Sequence, residues 1–148
     1  MKIALGSDHA GYDLKSHLFG YLESAGYELI DYGTIDSTTS VDYPDFAEKV
    51  ARAVSSGAVD RGILVCGTGI GISIAANKVA GIRAANCNTI EMAKLSREHN
   101  DANVLAIGGR IVTESEADGI VDVWLETEFA GGRHQKRLAK ITTLETGK

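Results

Sequence analysis

Residues 62–73 read GILVCGTGIGIS. Gly62–Cys66 is a short apolar, β-branched run, the pattern of a buried strand. Gly67, Gly69 and Gly71 then alternate with Thr68 and Ile70. A helix is expected from Ile72 to Val79. A strand, a glycine turn and a helix in that order form one unit of a parallel α/β sheet. The same unit recurs in both directions along the chain.

Toward the N-terminus, Ile3–Leu5 reads as a strand that runs into Gly6-Ser7-Asp8. Tyr12 to Ala25 reads as a helix, with Leu14, Leu18, Tyr21 and Leu22 on one face and Gly26 as its stop. Tyr27–Asp31 is a second strand, and Thr34–Asp42 a polar loop. Pro44 suits the first turn of a helix reaching about Ser56. Toward the C-terminus, Ile82–Cys87 is a strand, Glu91–His99 a helix and Val104–Ile107 a fifth strand. Helices are expected over Ser115–Glu126 and, after Gly131-Gly132, over His134–Leu144, where Leu138 and Ile141 can anchor the last helix. Five short apolar strands alternating with helices predict a three-layer α/β/α sandwich. Its sheet is five-stranded and parallel, Rossmann-like or flavodoxin-like, with an added C-terminal helix.

The 148 residues are 44% hydrophobic and 24% charged, with a formal net charge of −5. That length fits one domain, residues 1–148, with a sizeable core. The acidic balance disfavours general nucleic-acid binding, which needs an extended basic surface. No stretch approaches the ~20 apolar residues of a membrane helix, and the N-terminus lacks a signal-peptide pattern, so a cytoplasmic protein is expected. Cys66 and Cys87 are expected as free thiols in a reducing compartment. No set of Cys, His and carboxylates has metal-site spacing.

In parallel sheets, ligands bind outside the carboxyl ends of the strands. The residues there are Asp8-His9, Cys66-Gly67-Thr68-Gly69, Asn86-Cys87-Asn88 and Arg110. The glycine turn is not a dinucleotide fingerprint: counting from Gly67, the last required glycine falls on Ile72. Nor does it end in the Gly-Lys-Ser/Thr of a P-loop. It is either a nest of N–H groups for an anion or simply a tight strand-to-helix turn. Cys87 reads as a small hydrophobe. Cys66 stands at the head of the N–H groups, whose dipoles favour thiolate over thiol. Asp8-His9 reads as a cap with a solvated histidine, and His99-Asn100 as an ordinary helix end, unless the two act together. Arg133, His134, Lys136, Arg137 and Lys140 form either a solvated basic helix or a phosphate clamp, with Arg133 and Arg137 on one face.

The stretches GSDHAG (6–11), DYPDFA (42–47), CGTGIGISIAANK (66–78), GIRAA (81–85), SREHNDANVLAIGGR (96–110) and GGRHQKR (131–137) span nearly the whole chain. With these stretches the sequence resembles the ribose-5-phosphate isomerase type B family, which also includes subunits of galactose-6-phosphate isomerase. The resemblance implies a metal-free, cofactor-free aldose–ketose isomerase acting on a phosphorylated sugar, ribose 5-phosphate or a six-carbon relative. Cys66 resembles the family's base, Thr68 its proton-shuttling hydroxyl, and His99 its ring-opening residue, assisted by Asp8. The N–H groups of Gly67, Gly69 and Gly71 would hold the enediolate. Asn100 and Tyr43 match positions that line the sugar. His9, Arg110, Arg133, His134 and Arg137 match the phosphate-binding set. Some relatives carry a glutamate at the position of Ile72 and lack the cysteine; this chain is of the thiol type. The family is dimeric or a dimer of dimers, with sites shared between subunits, so His99 and Asn100 would reach the partner's Cys66 turn. From another class, a phosphate-sensing module on the same fold would leave Cys66 and His99 without a task.

Overall fold

The computed structural model describes residues 1–147. In chain order the elements are β1 (Lys2–Ser7), α1 (Tyr12–Ser24), β2 (Glu28–Asp31), α2 (Tyr43–Ser55), β3 (Arg61–Cys66), α3 (Ile70–Ala76), β4 (Ala84–Asn86), α4 (Ile90–Asn100), β5 (Val104–Gly108), α5 (Glu114–Glu126) and α6 (Arg133–Thr146). The five strands are parallel, in the order β2-β1-β3-β5-β4. The last two are exchanged relative to the flavodoxin order. The chain crosses over β5's position to place β4 at the edge, then turns back. Right-handed crossovers therefore put α2 and α3 on one face and α1 and α4 on the other, where α5 joins them.

Two apolar layers result. Leu14, Leu18 and Leu22 of α1 pack with Ile120, Val121 and Trp124 of α5 over Leu5, Ile63 and Leu105. On the other face, Val50, Ala51, Ile72 and Ala76 pack over Ala4, Leu64 and Ala106. Each large side chain fully buried in these layers contributes about 1.5–3 kcal/mol. Helix starts follow local chemistry. Thr89 caps α4 by accepting from the Met92 N–H, and Thr113 and Glu116 form a reciprocal capping box on α5.

Three local expectations change. Helix α3 begins at Ile70, two residues before the apolar run, because Gly69 takes φ +82° and turns the chain at once. Strand β4 keeps only Ala84–Asn86, because Ile82 is drawn into a turn by the Val79 carbonyl and the Arg83 N–H is taken by the Asn103 side chain. Leu138 anchors α6, whereas Ile141 is exposed. One buried group has no counterpart in the apolar pattern. Lys15 lies inside α1's packed face, fully buried, and donates to Asp31 Oδ1 at 2.8 Å and to the Thr34 carbonyl at 2.6 Å.

Register sets the functional edge. Ser7 pairs with Val65, and Cys66 with Gly108, so β1, β3 and β5 end side by side. Helix α4 then runs back along the strands. Its 11 residues carry Asn100 about 16 Å toward the opposite edge.

Candidate active site

Cys66 closes β3 and is 5% exposed. The chain turns so sharply after it that the Gly69 N–H donates to Cys66 Sγ at 3.2 Å. Only glycine fits this turn. A Cβ at Gly69 would meet Asn86 Oδ1 at 2.4 Å and the Ile107 backbone at 3.0 Å. The Ile70 N–H donates to Thr68 Oγ1 at 3.1 Å, which fixes the exposed Thr68 hydroxyl at the turn. The N–H groups of Gly71 and Ile72 belong to the first turn of α3, where a helix offers no acceptor of its own.

Neighbouring strand ends lock this turn in place. The Gly109 N–H donates to the Cys66 carbonyl at 2.7 Å and the Arg110 N–H to the Gly67 carbonyl at 3.0 Å. The Arg110 guanidinium then lies against Gly67, with Nη1 3.3 Å from the place of a Cβ. Tyr43, first residue of α2, rests on Gly71, where a Cβ would stand 2.6 Å from its ring.

Asp8, 7% exposed, follows β1. Its N–H donates to the Val65 carbonyl at 3.3 Å, and its Oδ1 accepts from the Gly11 N–H at 3.0 Å. Next to it, His9 Nδ1 accepts from the Val41 N–H at 3.2 Å. With Nδ1 an acceptor, Nε2 carries the proton of the neutral ring and is the donor available to a ligand. Asp8, His9 and Tyr43 line a cleft of about 470 Å³ together with Val41, Asp42, Pro44 and Asp45.

The other expected residues stand elsewhere. His99 and Asn100 end α4 at the far edge of the sheet. The His99 ring stacks on His134, with centroids 4.3 Å apart and planes 18° from parallel. Burial pushes the His134 imidazole below its usual range, and the neighbouring His99, Arg133 and Arg137 push the same way, so His134 favours its neutral form. Arg133 and Arg137 are exposed beside it. One chain thus gathers Asp8, His9, Tyr43, Cys66, Gly67, Thr68, Gly69, Gly71 and Arg110 at one edge, and His99, Asn100, Arg133, His134 and Arg137 at the other.

Three supporting side chains have no role assigned to them by the sequence reading. Arg97, 5% exposed, ties the end of α4 to Asp101 Oδ1 at 2.8 Å and to the carbonyls of Ala102 and Thr127 at 2.6 and 3.1 Å. Arg83 adds bonds to the carbonyls of Asn100 and Asp101. Arg97 directly precedes Glu98-His99, so its sequence position was the available signal. At the first edge, Asn88 bonds both the glycine turn and β5. Its neighbour Cys87 turns into the core, where burial pushes its thiol up. Among the described residues, no helix is long and apolar enough to cross a membrane.

The family described as Ribose/Galactose Isomerase matches residues 3–141. The chain belongs to this family. It is 54% identical over 144 residues to ribose-5-phosphate isomerase B of Escherichia coli (strain K12), covering 97% of this chain and 96% of that protein. The structure of Clostridium thermocellum ribose-5-phosphate isomerase B superposes with a TM-score of 0.97 at 59% identity, covering 99% of each chain. That of Mycoplasma genitalium ribose-5-phosphate isomerase B, which holds ribulose 5-phosphate, superposes at 0.95 with 42% identity, covering 99% of this chain and 97% of that one. These two solved structures share the whole α/β fold with this chain, including the C-terminal helix.

Proposed function

We propose that this protein interconverts ribose 5-phosphate and ribulose 5-phosphate, with Cys66 as the base. The observation that carries this reading is the Gly69 N–H on the Cys66 sulfur, at the head of a turn with further N–H groups. Removing a proton next to a carbonyl needs a base over carbon and fixed donors at oxygen. This turn offers both. The family relatives named above support the choice of sugar.

The cyclic aldose is opened first, by His99 with Asp8, giving a C1 aldehyde. The Cys66 thiolate takes the proton from C2. The C2–H electron pair forms the C1–C2 double bond, and charge gathers on O1 before the N–H groups of the glycine turn. Thr68 relays the O2 proton to O1. The Cys66 thiol then returns its proton to C1, leaving the ketone at C2. Atoms and electrons balance within the sugar. One well-placed oxyanion donor is worth roughly 3–4 kcal/mol at the transition state. The phosphate is held by His9 and Arg110 from one side and by Arg133, His134 and Arg137 from the other.

This scheme needs groups from both edges, which α4 holds about 16 Å apart in one chain. A homodimer is the arrangement we propose, each site pairing the Cys66 edge of one copy with the His99 edge of the other. The two buried free cysteines fit a reducing, cytoplasmic setting.

The test is turnover on a panel of five- and six-carbon aldose phosphates in deuterium oxide. Ribose 5-phosphate should react fastest and give ribulose 5-phosphate carrying solvent deuterium at C1. Preference for a six-carbon phosphate would move the activity to the galactose side of the family. Binding without exchange would reject the isomerase reading.

A further inference from the structure

The geometry points to Asn88 as the positioning residue that holds the Thr68–Gly69 peptide with its N–H on the Cys66 sulfur. Asn88 follows β4 and reaches two other strand exits with one carboxamide. Its Oδ1 accepts from the Gly108 N–H at 2.8 Å. Because a backbone N–H can only donate, that bond identifies the oxygen, and the amide nitrogen faces the other way. The nitrogen donates to the Thr68 carbonyl at 3.3 Å and lies 3.5 Å from Asn86 Oδ1.

The Thr68 carbonyl and the Gly69 N–H belong to the same peptide unit. In a planar trans peptide these two groups point in opposite directions. A donor holding the carbonyl on one side therefore holds the N–H on the other, where Cys66 Sγ stands at 3.2 Å. The unit needs such a hold. Gly69 sits at φ +82° and has no Cβ, so rotation of the peptide before it meets little local resistance. A rotated peptide would take the N–H from the sulfur and turn a carbonyl dipole toward it. The Cys66 and Gly67 carbonyls are already held by the N–H groups of Gly109 and Arg110. Asn88 completes this row with the one side-chain donor in it.

This inference rests on Cys66 as the base, but its test reads the sulfur separately from turnover. Asn88→Asp keeps the size of the side chain and an acceptor for the Gly108 N–H. It replaces the donor with a carboxylate oxygen facing the Thr68 carbonyl. Two measurements are made on Asn88→Asp and on Asn88→Ala: steady-state kinetics with ribose 5-phosphate, and the rate of iodoacetamide alkylation at neutral pH. Cys66→Ala serves as the blank, so that any alkylation at Cys87 is subtracted. Loss of a hydrogen bond to a charged group corresponds to about a tenfold to hundredfold change. Alkylation and kcat should both fall by about that factor in both variants, with KM within about twofold of the parent. Parent-like alkylation in the folded Asn88→Asp protein overturns the proposal and leaves Asn88 as a support for Gly108 alone. A raised KM with kcat retained also overturns it. Should Asn88→Asp not fold, parent-like alkylation of Asn88→Ala does so instead. If alkylation slows in a protein whose parent has no isomerase activity, the positioning role stands and the assignment of Cys66 as base fails.

Discussion

The two edges of the sheet handle charge by different means. At the Cys66 edge the polar atoms are mostly main chain: the Gly69 N–H on sulfur, the Ile70 N–H on Thr68, and the carbonyls of Cys66 and Gly67 tied back to Gly109 and Arg110. At the His99 edge they are side-chain ions. Arg83 and Arg97 clamp the end of α4, and Arg133 and Arg137 flank a stacked pair of histidines. Main-chain dipoles are fixed by the fold and need no counter-ion, which suits charge that appears only during a reaction. Guanidinium groups carry permanent charge and fork to match phosphate oxygens, which suits gripping a substrate. Under the proposed reading, the enediolate chemistry falls to the Cys66 edge, while ring opening and most of the phosphate grip fall to the His99 edge, a helix length away.

The largest effect should come from the Cys66 edge. Cys66→Ala is expected to lower kcat by at least about a hundredfold. Binding of a phosphorylated sugar acid, measured by calorimetry, should persist because the clamp is untouched. Parent-like turnover would remove the chemistry from that edge. Next comes the pairing of edges. Cys66→Ala and His99→Ala chains, each nearly inactive on a cyclic substrate, are unfolded and refolded together. Random pairing makes about half the dimers mixed, and each mixed dimer holds one intact composite site, so activity should return to about one quarter of the parent value. Silent mixed dimers, verified by mass measurement, would mean that both residues act within one chain. The smallest effect belongs to the clamp. Arg137→Ala should raise KM about tenfold through loss of charge-assisted bonds to phosphate, with kcat little changed. An unchanged KM would place the phosphate elsewhere.

Much of this was legible in the sequence, because five apolar runs and their glycine stops specify strands, turns and layers locally. The interior position of β5 was not. Strand order depends on which edge offers an apolar neighbour after the chain has crossed over, and no local pattern carries that. Lys15 was hidden because one lysine beside Leu14 and Leu18 reads as solvent-facing until Asp31 and the Thr34 carbonyl are brought to it. At the site, Cys66, Thr68 and Arg110 stood out as polar residues at strand ends. Asn88 stood among the same strand ends, but its bracing role was not legible, since an asparagine after a strand is ordinary until its two bonds are seen. The separation of His99 from Cys66 follows from a simple fact: a helix joining parallel strands must run back to the edge from which they start.

The loop over residues 34–42 is fastened at its two ends. Lys15 holds the Thr34 carbonyl, and His9 Nδ1 holds the Val41 N–H, while Asp36 gathers the N–H groups of Thr38 and Thr39 within the loop and Ile35 stands 85% exposed. One fastening is therefore the back of a ring whose other nitrogen, in the proposed site, would meet the phosphate. Anything that accepts the Nε2 proton of His9 keeps Nδ1 an acceptor and tightens the hold on Val41. Exchange of that single amide with heavy water should slow when the cleft is filled and quicken when it empties. It would report occupancy from a backbone position that touches neither sulfur nor sugar.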